Sequence, residues 1–359
     1  MTPLGPLTVL GNPDNRRVGL FLAAADRLGV PPPRVVSWRD FLLGRAAPEP
    51  GAVVRIDSPG EDAEVDRLLR GAPAACEPGE IVGLADWYDG LVAALARLDP
   101  STRPVNRPED IAVMCDKRRC HAVLSAAGVP VPPALPPVPD YAGLRAAMRD
   151  AGWSRVFVKP AHGSSASGVI ALAVNGPRIS AVTSVERDGA RLYNSLRVRR
   201  YETEWEVADI VDRLAPDRLH VERWLPKAGL GDRVVDVRVV VTAGKPGHAV
   251  VRASRTPLTN LHLGNARGDL AALRGAVGSE GWEAALHTCT QIARCFPGTL
   301  HVGVDLMFLA GWRGHAVAEV NAFGDLLPGV VADGVDTYGA QLRALYDGEF
   351  DRWAALCVT

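Results

Sequence analysis

Three side chains near the carboxyl end of the sequence, Asp305, Glu319 and Asn321, have the types and spacing of a metal-binding hairpin. The runs HVGVDLMFL and HAVAEVN have the apolar, β-branched composition of strands, and GWRG between them predicts a turn. A three-residue loop at 311–313 places Asp305 opposite Glu319, and the two-residue period of a strand puts Asn321 on the same face as Glu319.

Two carboxylates and an amide carbonyl are hard oxygen donors, which suit a Mg²⁺ ion that also binds phosphate oxygens. A polar strand face toward solvent is the alternative. The apolar neighbours on both strands weigh against it, because carboxylates in apolar surroundings need a cation or another partner.

Lysine usage singles out two further residues. The chain has 40 lysines and arginines, yet lysine stands only at positions 117, 159, 227 and 245. A lysine that persists in such an arginine-rich chain suggests a need for its compact point charge, which arginine does not reproduce. This raises the interest of Lys117 and Lys159, whereas Lys227 and Lys245 stand beside Pro or Gly in apparent loops, without an evident role.

The stretch VFVKPAHGSSASGV predicts a strand that ends at Lys159, a loop of small residues and a second strand. The loop backbone N–H groups and hydroxyls could surround phosphate oxygens. The pattern is neither a P-loop nor a dinucleotide fingerprint, because the lysine precedes the glycines. An ordinary hairpin turn is the alternative. The candidate phosphate contacts in this loop are Gly163, Ser164, Ser165 and Gly168.

A second hairpin, DVRVVVTA and GHAVVRAS joined by GKPG, carries Asp236, Arg238 and Arg252. An acid with two arginines is explained equally well by a cross-strand ion pair. The other interpretation is that an arginine here neutralises a phosphate or a developing acyl phosphate. The pattern alone leaves both open.

The composition excludes several classes of protein. A chain of 359 residues predicts two or three domains. A net charge of −1 argues against general binding to nucleic acid or to an anionic membrane. The sequence shows neither a secretory leader nor an apolar run long enough for a membrane span, so we expect a cytoplasmic protein. The six cysteines have neither disulfide-framework nor zinc-site spacing, which predicts buried thiols.

The order of predicted elements divides the chain into an α/β part and a later part rich in hairpins, which is α+β. Strands and helices alternate over 1–100 and predict a parallel sheet. STRPVN predicts a linker, 108–128 a single helix with Lys117 in its middle, and 129–139 a stiff proline-rich connection. In the first part Arg16, Arg17, Arg55 and Asp57 stand near strand ends, where they either help to bind a substrate or form surface ion pairs.

In order along the chain, these motifs resemble the ATP-grasp superfamily over about residues 106 to 330. The carriers are a helix lysine before GVPVP, VFVKPAHGSSASGV, VERWLP, DVRVVV, TNLHLGN, GVDLM and AEVN. The chain is most similar to the branch of glutathione synthetase and the peptide-modifying glutamate ligases. The resemblance implies an ATP-grasp fold with a pre-ATP-grasp α/β domain at 1–105, a central and lid subdomain at 106–222, and a C-terminal antiparallel-sheet subdomain with a metal site at 223–359.

The resemblance also implies roles for individual residues. Lys117 and Lys159 would contact ATP phosphates under the glycine loop, and Asp305, Glu319 and Asn321 would hold Mg²⁺ or Mn²⁺. The hinge beside adenine would consist of Glu222, Trp224 and Leu225. Arg238 and Arg252 would meet the γ-phosphate or a substrate carboxylate, with Asn260 and Gly264 on the substrate side. An acid for the ribose is displaced from its usual place, and Asp232 is the candidate.

The function that this resemblance implies is a carboxylate–amine ligase that uses ATP and Mg²⁺, forms an acyl phosphate, and acts on an amino acid, a peptide or a related small carboxylate. A kinase of the same fold that phosphorylates a hydroxyl is one alternative, and a non-catalytic ATP-binding module is another. Such sites work mainly by placement and charge neutralisation, which agrees with the absence of an evident nucleophile in the sequence. We expect a small-molecule or peptide partner, no nucleic acid and no membrane, and a homodimer stays open.

Overall fold

The structure, a computed structural model, describes residues 5–358. Over this range the chain forms one parallel and two antiparallel sheets. The four strands of the first sheet are β1 (Leu7–Gly11), β2 (Arg34–Ser37), β3 (Val53–Ile56) and β4 (Arg103–Pro104), in the order β2-β1-β3-β4. All pairs are parallel, as the alternation of strands and helices predicts. The helices of this part are α1 (Arg16–Arg27), α2 (Trp38–Leu42), α3 (Ala63–Arg70) and α4 (Leu84–Leu95).

The predicted linker at 101–106 is a structural element instead. It contains β4, and the following Val105 and Asn106 are buried. The Asn106 side chain donates a hydrogen bond of 3.1 Å to the backbone carbonyl of His301. A strand of two residues carries too little β-branched or alternating sequence to be recognised, so the linker prediction is wrong.

The predicted helix at 108–128 is two helices, α5 (Pro108–Met114) and α6 (Lys117–Ala126). Asp116 separates them, because its side chain accepts hydrogen bonds from the first backbone N–H groups of α6 and caps that helix. Lys117 therefore begins α6 rather than lying in the middle of a helix. Gly128 has the left-handed backbone expected just after a helix end.

The second sheet is antiparallel and has the order β8-β7-β6-β5-β9. Its strands are β5 (Arg155–Pro160), β6 (Ile170–Asn175), β7 (Arg178–Asp188), β8 (Arg191–Tyr201) and β9 (Leu219–Arg223), and the helices packed with it are α7 (Tyr141–Asp150) and α8 (Glu204–Leu214). A short 3₁₀ turn at Ala215–Asp217 precedes β9. The proline-rich segment is extended, as predicted, and hydrogen-bonds along β9 through the backbones of Pro133 and Leu135.

The third sheet has the order β13-β12-β11-β14-β15, with β10 beside β11. Its strands are β10 (Gly229–Leu230), β11 (Arg233–Thr242), β12 (Lys245–Ser254), β13 (Ala266–Arg267), β14 (His301–Phe308) and β15 (His315–Asn321). The remaining helices are α9 (Leu270–Cys295), α10 (Thr337–Tyr346) and α11 (Glu349–Val358), with 3₁₀ turns at Leu261–Leu263 and Ala310–Trp312. α9 is interrupted by non-helical backbone at Gly278.

Both predicted hairpins of this sheet form, but their turns differ from the prediction. β11 and β12 are joined by the two residues Ala243 and Gly244, both with positive φ, instead of by GKPG. In the last hairpin Phe308 pairs with His315, so the loop is longer than three residues.

A bulge between β14 and β15 restores the predicted register, and Asp305 does lie opposite Glu319. The prediction of this pair is confirmed, but its reason is wrong, because the longer loop and the bulge each shift the register by one residue in opposite directions.

The C-terminal helices return to the first sheet. Tyr338 and Leu342 of α10 share a buried cluster with Leu7, Val9 and Phe21. All six cysteines are free and either buried or partly buried, as predicted. Among the described residues, no helix combines the length and the apolar character needed to cross a membrane.

Candidate functional site

An open cleft with about 770 Å³ of empty space lies between the second and third sheets. Its lining contains both apolar side chains and charged and amide side chains. They include Phe157, Leu225 and Met307, and then Lys117, Lys159, Glu222, Lys227, Asp236, Arg252, Asn260, Asp305 and Glu319.

The two lysines singled out by the sequence meet in this cleft from different elements. Lys117, at the start of α6, forms an ion pair of 3.0 Å with Glu319 and donates a hydrogen bond to the carbonyl of Gly163. Lys159, near the end of β5, forms an ion pair of 2.6 Å with Glu222 and donates to the carbonyl of Ala318 at 3.3 Å. Both ammonium groups are thus held at the cleft wall by acceptors from neighbouring strands.

Glu222 stands at the end of β9 and is buried between two basic side chains. It accepts hydrogen bonds from Lys159 and pairs with His220 at 2.9 Å. Burial works to raise the pKa of Glu222, but the Lys159 ammonium and His220 outweigh it and hold the pKa at about 2. Glu222 is therefore ionised at neutral pH and keeps Lys159 in place.

Apolar side chains form part of the cleft lining. Phe157 and Leu225 line the cleft together with Met307, while the ring of Trp224 packs on Phe157 with centroids 5.3 Å apart. Of the predicted hinge, Glu222 and Leu225 line the cleft, and Trp224 does not but packs on the lining residue Phe157.

The glycine loop between β5 and β6 closes part of the cleft mouth. Gly163 and Ala166 line the cleft, whereas Ser164 and Ser165 are exposed and do not. A Cβ on Gly168 would lie 2.6 Å from the ring of Pro160, and its φ is +72°, so this position requires glycine. The structure thus supports a constrained loop at the cleft but turns the two serines away from it.

The predicted metal ligands lie on neighbouring strands. Asp305 faces Glu319, and Asn321 follows on the same strand as Glu319. The amide nitrogen of Asn321 is buried without a hydrogen-bond partner among the described residues, and rotation of the side chain would present the amide oxygen instead. The donor set therefore fits Mg²⁺ by its chemistry. No group of three or more His, Cys, Asp or Glu with metal-binding geometry occurs in residues 5–358, so the amide is needed to complete the set.

Asp305 is also the partner of two arginines. Arg238 donates to both of its carboxylate oxygens, from Nη2 at 2.9 Å and from Nε, and Arg252 Nη2 lies 3.1 Å away. Burial works to raise the pKa of Asp305, and the two guanidinium groups outweigh it and lower the pKa below its ordinary value. Arg252 also donates to Asp236 at 2.6 Å. The cross-strand ion pair is thus present, and it lies in the cleft.

Lys227 is a cleft residue that the sequence interpretation passed over. It is partly buried, forms an ion pair of 3.0 Å with Asp236 and donates to Thr259 at 2.7 Å. Burial lowers the pKa of Lys227, and Asp236 opposes that effect. The same lysine scarcity that singled out Lys117 and Lys159 was the signal for Lys227.

Four other candidates do not line the cleft: Arg238 and Asn321, which stand on β11 and β15 beside Asp305 and Glu319, and Asp232 and Gly264. Asp232, the candidate for ribose, is 67% exposed, pairs with Arg255 and does not line the cleft. Gly264 is exposed after the 3₁₀ turn, although Asn260 at the start of that turn lines the cleft. Of the acids near the hinge, Asp236 lies in the cleft and Asp232 does not.

Arg55 and Asp57, which the sequence suggested as members of surface ion pairs, do not lie at the surface. Both side chains are almost completely buried, and Arg55 donates to Asp325 at 2.7 Å. Arg17 pairs with the same Asp325 and is partly exposed, while Arg16 is exposed.

No family model and no curated protein matches the sequence, but solved structures match its fold. D-cycloserine synthetase DcsG has 15% identity and a TM-score of 0.58, covering 95% of this chain and 100% of its own. ATP-grasp ligase PsnB, in complex with a phosphomimetic variant of a minimal precursor, Mg and ADP, has 19% identity and a TM-score of 0.53. The match covers 96% of this chain and 98% of PsnB. The RimK domain ATP-grasp protein from Sphaerobacter thermophilus has 17% sequence identity and a TM-score of 0.51. The match covers 94% of this chain and 98% of that protein. The chain therefore has the ATP-grasp fold, which confirms the fold prediction.

Proposed function

We propose that this chain is a carboxylate–amine ligase that uses ATP and Mg²⁺, forms an acyl phosphate, and releases ADP and phosphate. The observation that carries the proposal is the convergence of Lys117, Lys159 and the Asp305–Glu319 pair on one cleft that is also lined by apolar side chains. Such a cleft combines a slot for a base with charges suited to phosphates. The similar structures described as a synthetase and a ligase support the same reaction class.

The nucleotide would lie along the cleft with its base between Phe157, Leu225 and Met307. Lys117 and Lys159 would bind phosphate oxygens below the glycine loop, exchanging part of their contact with Glu319 and Glu222 for the phosphates. Asp305, Glu319 and Asn321 would hold Mg²⁺, which supplies neutralisation of phosphate charge when bound.

The chain's arginines and the glycine loop would serve the transfer itself. A substrate carboxylate oxygen attacks the γ-phosphorus, the bond to the ADP oxygen breaks, and an acyl phosphate forms. An amine nitrogen then attacks the acyl carbon, loses a proton and expels phosphate. Arg238 and Arg252 would neutralise charge on the γ-phosphate or the carboxylate. Closure of the loop carrying Gly163 and Gly168 would exclude water that hydrolyses the acyl phosphate.

We propose an amino acid, a peptide or a related small carboxylate as the first substrate. Asn260 and Thr259 line the cleft, and Thr259 and Arg252 both donate to Asp236, so we propose that such a carboxylate would enter beside them. The precursor bound by PsnB and the name of D-cycloserine synthetase are consistent with these substrate classes. We place the reaction in the cytoplasm, where ATP is available.

The test is nucleotide turnover with Mg²⁺ and a cell extract of small molecules and peptides, with product masses measured in parallel. Wild type is compared with Lys159→Ala and with Lys245→Ala, whose lysine is 72% exposed and pairs with Glu349. We expect ADP, phosphate and a condensation mass gain from wild type and Lys245→Ala, and a loss of about 100-fold or more in Lys159→Ala. A phosphate adduct would instead identify a kinase, and tight ATP binding without turnover would identify a binding module.

A further inference from the structure

A buried ionic cluster joins the first sheet to the loop that follows β15. Its centre is Asp325, which is fully buried. Asp325 accepts hydrogen bonds from Arg17 at 2.9 Å and from Arg55 at 2.7 Å, which belong to α1 and β3. The side chain of Gln341 on α10 donates to it at 3.0 Å and also accepts from Arg55. The carboxylate thus connects three elements that are distant in sequence.

The backbone of Asp325 is held as firmly as its side chain. Its carbonyl accepts hydrogen bonds from Thr337 Oγ1 at 2.8 Å and from the backbone N–H of Leu327 at 3.0 Å. His301 Nε2 lies 3.4 Å from the carboxylate on a further side. The position of this residue in the loop is therefore fixed from several directions.

The residue just before Asp325 contacts Arg238, which in turn binds the cleft residue Asp305. The carbonyl of Gly324 accepts a hydrogen bond of 3.2 Å from Arg238 Nη1. Gly324 packs directly on Gly303 of β14, so closely that a Cβ on Gly324 would lie 2.7 Å from the Cα of Gly303 and 3.1 Å from Arg238 Nη1. A shift of the loop at Asp325 must therefore move an acceptor of Arg238.

Stability alone does not account for this cluster. Asp57 Oδ2, Arg55 Nε, the Tyr338 hydroxyl and both ring nitrogens of His301 are buried without hydrogen-bond partners among the residues described. Unpaired buried polar atoms cost stability, and replacing a buried ion pair by apolar residues is often neutral or stabilising. The cluster instead fixes one position of the loop, which apolar contacts would fix less uniquely.

We propose that Asp325 is a positioning residue, which, anchored by Arg17 and Arg55, holds the Gly324 carbonyl so that the Arg238 guanidinium points toward the γ-phosphate. This inference rests on the proposed function. It extends the site to the first domain, whose α1 and β3 then help to orient an arginine of the third sheet. Arg238 has one fixed acceptor in Asp305 and a second in Gly324, and the second depends on Asp325.

The test measures binding by calorimetry in the presence of Mg²⁺, with ADP and with the β,γ-imido analogue of ATP as probes. The variants are Asp325→Asn, Arg238→Lys, which removes the Nη1 donor but keeps a charge, and both together. The control is Arg27→Met, because Arg27 and Asp336 also join α1 to α10 but the Arg27 side chain is 55% exposed. Circular dichroism and the melting temperature report folding for each variant.

We expect Asp325→Asn and Arg238→Lys each to weaken binding of the triphosphate analogue about tenfold, with ADP changed by less than about twofold. The double variant should bind no more weakly than Arg238→Lys alone, because the contact with the Gly324 carbonyl that Asp325→Asn would disturb is already absent there. Arg27→Met should bind both probes like wild type. If Asp325→Asn does not fold, Arg17→Gln removes one bond to Asp325 and should weaken the analogue about threefold.

Three results would overturn the inference: unchanged binding of the analogue by Asp325→Asn, equal losses for ADP and the analogue, or additive losses in the double variant. If wild type binds neither nucleotide, the proposed function itself is wrong. If wild type binds both nucleotides and Asp325→Asn or Arg17→Gln behaves like it, only the positioning role is wrong.

Discussion

His301 is a buried side chain whose titration should be visible in the stability of the protein. Burial lowers its pKa from 6.5 to about 4, against the opposing effect of Asp325, while Arg55 and Arg17 add to the lowering. Because its pKa is lower in the folded state, the unfolded chain takes up the proton first. The stability contribution of neutral His301 is complete above pH 6.5 and is lost as the pH falls toward 4.

We predict that the free energy of unfolding falls by roughly 1.4 kcal/mol per pH unit over this window through His301, and that His301→Phe removes this part of the slope. Phenylalanine replaces the buried imidazole by an apolar ring, which removes the titrating group together with its 3.4 Å contact to Asp325. Urea unfolding between pH 7 and 4 measures the slope, with exposed His262→Gln as the control. An identical slope in wild type and His301→Phe would contradict the assignment.

At the residue scale, the residue types predicted many of the side chains in the site. Which side chains are buried and which are exposed could be learned only from the structure. Scarce lysine and hard oxygen donors identified side chains that converge on the cleft, and lysine scarcity applies equally to Lys227. The sequence could not show that Asp232 faces solvent while Asp236, four residues later, is buried. Nor could it show that Arg55 is buried, because a charged residue near a strand end is more often exposed.

Elements of secondary structure place the site through register and close backbone contact. The cross-strand pair Asp305–Glu319 depends on a loop and a bulge together, and composition does not encode a bulge. Helix caps were more predictable, since Gly29 and Gly128 have the left-handed backbone expected of residues that follow a helix. The split between α5 and α6 was not, because Asp116 interrupts a helix-like apolar pattern.

The contact between β14 and the loop after β15 gives a prediction at this scale. A Cβ on Gly303 would lie 2.5 Å from the Cα of Gly324, and the other atoms nearest to it also belong to the Gly324 backbone. We predict that Gly303→Ala lowers the free energy of unfolding by about 1 to 3 kcal/mol and weakens nucleotide binding, because the loop must move away from Arg238. The measurement is denaturant unfolding together with calorimetry.

The matched substitution is Gly275→Ala in α9, where a Cβ would meet nothing within 4 Å. It should raise the free energy of unfolding by roughly 0.4 to 1 kcal/mol, since alanine restricts the unfolded chain and favours helix. A Gly303→Ala variant as stable as Gly275→Ala would show that the loop and β14 do not need their close approach.

On the scale of the whole molecule, the C-terminal part of the chain packs against the N-terminal part. α10 and α11, at the carboxyl end of the sequence, pack with the first sheet, and Phe21 meets Tyr338 edge to face with ring centroids 6.1 Å apart. The resemblance assigned this segment to the last subdomain, at 223–359, because a pattern within a segment does not show which distant surface it packs against. The domain boundaries at 105 and 222 stay predictions. Because the first sheet and the C-terminal helices share one buried cluster, we expect them to unfold together.

Tyr338 tests that cooperativity. Its ring is buried against Phe21 and under the Arg55 guanidinium, between the first sheet and the loop that reaches Arg238. We predict that Tyr338→Ala lowers the free energy of unfolding by roughly 3 to 5 kcal/mol. We further predict that heat unfolding stays a single calorimetric transition at a lower temperature, because α10 contributes to the core of the first sheet and its Gln341 to the buried ionic cluster. Two separated transitions in the variant, with one at the wild-type temperature, would mean that the sheets are stable independently and that α10 does not join them.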